Sequence, residues 1–206
     1  MYLRKGMIAN SQPWHVKNAA GSTNNYQSPV TAESLPRVPE SNNLAITCLE
    51  MTNASQFRPS YLSYLDGIKV MCMYAPDLAF YRFLSNSVAM PQPNQRLVLS
   101  DQELKKLLAA SGNSVHVLYV DGVPAGYIEL VKRKDSPSSP FYSTEFVYFG
   151  LRSGYIGRSL DKHLLSHGIA YAWNNGTNRL WVRTSNIDSA KTLKNYLQRG
   201  FKIIRT

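Results

Sequence analysis

Hydrophobic positions change period several times along the chain, and each change marks an element. From Leu44 onward, "LAITCLEM" and "GIKVMCMY" are short apolar runs of strand type. In "PDLAFYRFLSNSV", Leu78, Phe80, Tyr81, Leu84 and Val88 gather on roughly one helical face, and Pro76 and Asp77 mark the start. "SDQELKKLLAASG" opens with a capping box, Ser100 with Glu103, and is expected to close at Gly112. Two β-type runs, "SVHVLYV" and "VPAGYIELV", are joined by Asp121-Gly122, the dipeptide favoured in type I′ hairpins. The loop "KRKDSPSSP" leads into a third run, "STEFVYFGL". Leu160, Leu164, Leu165, Ile169, Ala172 and Trp173 then recur at helical spacing until Gly176. A strand "RLWVRT", a helix "DSAKTLKNYLQRG" and a strand "FKIIR" complete the order. Two strands, two helices, a three-stranded meander and then βαβαβ units predict an α/β (α+β) domain: one mixed sheet flanked by helices.

Residues 1–43 break this pattern. They are rich in Ser, Asn, Pro and Gln with no helical or alternating period, so they cannot bury enough surface to offset their ordering entropy. A disordered tail over 1–43 and a globular domain over 44–206 are therefore expected.

Composition narrows the classes. A chain of 206 residues that is 44% hydrophobic holds one ordinary core. No apolar run approaches the ~20 residues of a membrane span, and the first residues lack a secretion-signal core, so a soluble cytoplasmic protein with no membrane partner is expected. Cys48 and Cys72 sit in apolar strand-like runs without partner or metal-ligand spacing and are expected as buried free thiols. His116, His163 and His167 also lack ligand spacing, and no metal site is assigned.

The formal charge is +10, and residues 151–206 carry ten Lys or Arg against two Asp. So basic a region suits a polyanion, either nucleic acid or a phosphorylated cofactor. Single-strand binders interleave exposed aromatics with basic residues, whereas Trp173 and Trp181 fall on faces expected to be buried. Nucleic acid is the less favoured partner.

"FGLRSGYIGRSLDKHLL" reads as a strand that breaks into small residues and becomes a helix. It is not a P-loop: Arg152 stands where the first glycine is needed and Arg158 replaces the lysine. The start of such a helix still offers unpaired amides with about half a positive charge behind them, and small residues let a diphosphate approach. Arg158 adds a full charge beside it.

This segment, with "NYLQRGF" before the last strand, resembles the GNAT family of acetyl-CoA-dependent N-acetyltransferases, over about residues 44–206. It is most similar to a branch with the pattern "YFGLLPEFIGRGLG…AW…WVHT…LD…NY…RGF". The resemblance implies the GNAT fold, with a largely antiparallel mixed sheet, and acetyl-CoA as co-substrate without a metal. It also implies an amine acceptor, small molecule or protein, and leaves a homodimer open.

The family's cofactor loop maps onto Leu151, Ile156, Gly157, Arg158, Ser159, Leu160 and Asp161, with Ser159 and Asp161 where small residues are usual. Ser189 stands where relatives have asparagine or histidine. As second residue inside the helix, Asp161 is expected to compete with the diphosphate for the amides. A backbone amide near Leu151 would meet the oxyanion.

The histone-acetylating branch places its base glutamate six residues before that position, which gives Glu145, with Glu129 in reserve. Alternation puts Glu145, Val147, Phe149 and Leu151 on one strand face. Tyr196, four residues before Gly200, matches the tyrosine that protonates the departing thiolate. The competing expectation is a GNAT-like binding module that has lost turnover and uses its basic C-terminal region to contact nucleic acid or an acidic protein, since Ser159, Asp161 and Ser189 depart from the pattern.

Overall fold

The structure, a computed structural model, describes residues 45–88, 95–186, 188 and 190–205. The expected tail, Leu44 and Ser189 thus lie outside the described residues. Seven strands form one sheet: β1 (Ile46–Met51), β2 (Ile68–Met73), β3 (Asn113–Val120), β4 (Val123–Lys134), β5 (Tyr142–Leu151), β6 (Arg179–Ser185) and β7 (Lys202–Arg205). Their order is β2-β3-β4-β5-β6-β1-β7. β5 and β6 run parallel, and every other neighbouring pair is antiparallel. Helices α1 (Leu78–Ser87) and α2 (Asp101–Leu108) pack on one face, and α3 (Leu160–Asn174) and α4 (Ala190–Arg199) on the other. None of these helices is long and apolar enough to cross a membrane.

Local chemistry sets the element ends. Asp77 caps α1 by accepting from the Phe80 amide at 2.9 Å, and Ser100 and Glu103 cap α2 reciprocally. Asp121 and Gly122 have φ of 51° and 77°, the two left-handed positions of a type I′ turn, and join β3 to β4. α2 ends at Leu108 rather than running to Gly112, because Asn113 Nδ2 donates to the carbonyls of Leu107 and Leu108.

The first strand of the chain lies far from the second. β1 fits between β6 and β7, pairing with both, and buries Leu49 and Met51 completely on the α3/α4 side. β2 is five strand positions away, about 24 Å at the usual inter-strand spacing. Residues 52–67 bridge that distance across the outside of α3. The Ser60 amide donates to Ser166 Oγ at 2.9 Å, and the Leu62 amide to His163 Nδ1 at 3.3 Å.

Two apolar clusters form, one on each side of the sheet. The larger, under α3 and α4, contains Leu49, Ile128, Phe146, Leu164, Ile169, Val182 and Phe201; the smaller, under α1 and α2, contains Tyr81, Leu84, Leu104, Val117 and Tyr127. Neither cysteine joins them. Cys48 and Cys72 are free but half-buried, not buried as expected, because β2 is an edge strand and β1 turns Cys48 to the side away from the larger cluster.

Candidate active site

β5 pairs with β6 from Ser143–Arg179 to Phe146–Val182 and then leaves it, while continuing on β4 as far as Leu151–Gly126. A bulge accompanies the parting. Glu129 opposes Tyr148 and Leu130 opposes Phe146, so Val147 has no partner across the ladder. The extra residue breaks the alternation expected from sequence: Phe149 and Leu151 face α3 and α4, and Glu145 faces the other side. Beyond Phe146 the two strands enclose an open wedge.

The Arg152 amide donates to Ala125 O at 2.8 Å, which makes Arg152–Ala125 a hydrogen-bonded pair. By antiparallel alternation, the Leu151 N–H then points away from β4, into the side that β6 has vacated. The Leu151 N–H therefore points into the space that β6 no longer fills, beside an isolated antiparallel bridge between Arg152 and Val88.

The chain next turns through a short 3-10 segment, Ser153–Tyr155, into α3. Arg152 pins this turn. Its Nη1 donates to Pro124 O at 2.7 Å and its guanidinium lies against the Phe83 and Tyr155 rings. Gly157 has φ +87°, and a Cβ built there meets nothing within 4 Å, so the backbone is open on the side where a ligand would approach. Ser159, the N-cap of α3, is left-handed at φ 58° and its side chain makes no capping bond. Ser159 Oγ thus caps none of the first-turn amides of α3. Ile156 and Arg158 are exposed, and Arg158 lies over the Tyr155 ring at 5.6 Å, while Leu160 is buried in the core and anchors the turn. These residues fit a diphosphate held by backbone amides with one arginine beside it.

Asp161 behaves differently from the expectation. Its Oδ2 accepts from Asn195 Nδ2 at 3.2 Å, so the carboxylate turns toward α4 and not toward the loop amides. Arg199, nine-tenths buried, lies near it; burial lowers the guanidinium from its ordinary value and Asp161 offsets part of that. Asp161 therefore joins α3 to α4.

Glu145 is buried at the foot of the wedge, one residue before the last β5–β6 pair. Its Oε1 accepts from Arg183 Nη2 at 2.9 Å. Tyr196 lies on the other face, 4% exposed, its ring 6.1 Å from Phe149 and 5.6 Å from Phe201. Burial, then the nearby Asp188 carboxylate, raises its phenol above the ordinary value, so it holds its proton firmly. Asp188 itself caps the turn before α4, accepting from the Ser185 amide at 2.7 Å.

Glu129, the reserve base, is fully buried. It forms an ion pair with Arg96 and accepts from the Tyr81 hydroxyl at 2.8 Å. A carboxylate so compensated holds the Gln95–Val98 turn against the sheet and is poorly placed to take a proton from a substrate.

Two arginines of the site escape a reading of the sequence. Arg96 and Arg183 lie 33 and 38 residues from the glutamates they pair with, and no local spacing links them. The histidines too converge unexpectedly: His116 and His167 are 3.1 Å apart, and His116 also reaches Ser114 Oγ at 3.1 Å. Burial, then the neighbouring His167, pushes His116 down to about 3.

The model of the "Acetyltransferase (GNAT) family" matches residues 81–201. No curated protein matches the chain. Among solved structures, a GNAT-family protein from Novosphingobium aromaticivorans is similar with TM-score 0.51 and 16% identity over 80% of this chain. The chain spans 62% of that protein's length, less than two thirds. An aminoglycoside acetyltransferase from an uncultured soil metagenomic sample, in complex with trehalose, gives 0.53 and 13% over 65% of this chain and 88% of its own. Aminoglycoside N-acetyltransferase AAC(6')-Iy in complex with CoA gives 0.51 and 20% over 68% and 91%. At these identities the likeness is one of fold.

Proposed function

The chain belongs to the GNAT acetyltransferase family, and we propose that it transfers an acetyl group from acetyl-CoA to a primary amine by direct attack on the thioester. The observation that carries the reading is the wedge. β5 leaves β6 after Phe146–Val182, with Glu145 on one face, Phe149 and Tyr196 on the other, and the Leu151 N–H between the strands. CoA in a complex of a structural neighbour supports the choice of donor.

Acetyl-CoA, when bound, supplies the acyl carbonyl and a thiolate leaving group. Gly157 to Leu160 would hold the diphosphate on the first amides of α3, and Arg158 would add charge. The Leu151 N–H is a preorganised donor for oxygen charge that develops during attack. Glu145 would take the proton of the amine, through water, as its buried position at the foot of the wedge allows. The Tyr196 hydroxyl keeps its proton until a thiolate appears beside it, because burial opposes its ionisation.

Calorimetric titration with acetyl-CoA, followed by thiol release with a panel of amines, tests this. Binding in the micromolar range and amine-dependent thiol release are expected. Absence of acetyl-CoA binding would sink the reading.

A further inference from the structure

The strands carry three glutamates, Glu50 on β1, Glu129 on β4 and Glu145 on β5, and each is paired with an arginine: Arg179 at 2.7 Å, Arg96, and Arg183 at 2.9 Å. No strand carboxylate is therefore left to receive a second positive charge on an acceptor. The pairs differ in exposure. Arg96 is nearly buried, with 10% side-chain exposure, while Arg183 is 57% exposed over a Glu145 side chain of only 11%.

Position makes Arg183 the informative one. β6 places it one residue past Val182, the last residue paired with β5, on the same face as Trp181 and Glu145. Its guanidinium lies over the Trp181 ring at 5.3 Å, which restricts the side chain. Among the described residues it has one hydrogen-bond partner, Glu145, so further N–H groups of its fork remain for a ligand. Glu145 and Arg183 thus flank the mouth of the wedge as an acceptor and a donor side by side, with the donor open to solvent.

Such a pair complements a molecule that brings an amine and an anionic group a few bonds apart. The amine approaches Glu145, and the anion takes the outward N–H groups of Arg183 in a charge-assisted, planar contact. A polycationic acceptor would instead set its extra ammonium groups against an exposed guanidinium, with no strand carboxylate unpaired. Resting on the acetyl-transfer reading above, we infer that the acceptor is a small amine carrying a carboxylate within a few bonds, an amino-acid-like zwitterion, and that Arg183 determines this specificity.

The test uses the full chain with acetyl-CoA and measures thiol release. Glycine, β-alanine and 4-aminobutanoate are compared with their carboxamides at equal free-amine concentration, with spermidine as a polycation. The best acid should exceed its amide by about tenfold to a hundredfold in kcat/KM, through KM. Arg183→Met should bring that ratio close to one, and Arg183→Lys should restore part of it. Independently, side-chain nitrogen spectra of arginine should show Arg183, assigned through Arg183→Met, shifting with propanoate but not with propylammonium. Amides or spermidine that match the acids would overturn the inference, as would an Arg183 signal indifferent to propanoate. If acetyl-CoA neither binds nor releases thiol with any amine, the acetyl-transfer reading fails, and the propanoate titration still decides whether Arg183 receives a carboxylate.

Discussion

Replacing Arg96 by methionine removes the guanidinium but keeps much of the aliphatic bulk of a residue that is nearly buried. Glu129, fully buried, then keeps only the Tyr81 hydroxyl at 2.8 Å of the two contacts described here. An uncompensated buried carboxylate costs about 3 to 5 kcal/mol, a large share of the ~5 to 15 kcal/mol that holds a domain together. At roughly 2 to 4 °C per kcal/mol for a domain of this size, the melting temperature should fall by about 6 to 20 °C. The sign with pH follows from the proton. Once unpaired, the buried carboxyl binds a proton more readily in the folded than in the unfolded chain. The deficit should thus be largest near neutral pH and shrink as pH falls toward 5. Arg96→Met combined with Glu129→Gln should recover most of the loss, because the amide keeps an acceptor for Tyr81 without a charge. Urea titrations and thermal melts of the three proteins at pH 5 and pH 7.5 measure all of this. A loss below about 1 kcal/mol, a deficit indifferent to pH, or a double variant no better than the single one would refute the argument.

On the proposed mechanism, in which its hydroxyl acts on the leaving thiolate, Tyr196→Phe should lower kcat by about 10- to 1000-fold at nearly constant acetyl-CoA affinity, read by steady-state kinetics beside calorimetry. Glu145→Gln should slow turnover most at moderate pH and recover in alkaline buffer as free amine accumulates, and a pH-rate profile shows whether it does. His116 is held neutral down to about 3 by burial. Since the unfolded histidine takes up a proton near pH 6.5 and the folded one does not, stability should fall with acidity by about 2 kcal/mol between pH 7 and 5. His116→Asn should flatten that slope in denaturant titrations. A chain begun at Thr52 lacks β1 and should lose cooperative melting, whereas one begun at Ala45 should melt close to the full chain.

What can be read from residues alone here is local. The Asp121-Gly122 turn, the Ser100–Glu103 box, the apolar periods of α1 and α3 and the glycine before α3 each act within a few residues, and each appears in the fold near its expected place. Gly157 and the start of α3 after it were legible because a strand-to-helix turn is itself a local arrangement of backbone. The rest is set between distant segments. That β1 lies between β6 and β7 depends on pairing with residues 129 to 157 positions later, which no hydrophobic period encodes. The bulge at Val147 leaves an ordinary alternating sequence, yet it moves Glu145 to the face opposite Phe149 and Leu151, because only the register against β4 reveals the extra residue. Asp161 turning to Asn195, Arg96 to Glu129 and Arg183 to Glu145 likewise follow from helices and strands brought together by burial. Charge pairing in a folded chain is chosen by the few partners that packing places within a few ångströms, and only the tertiary structure names them.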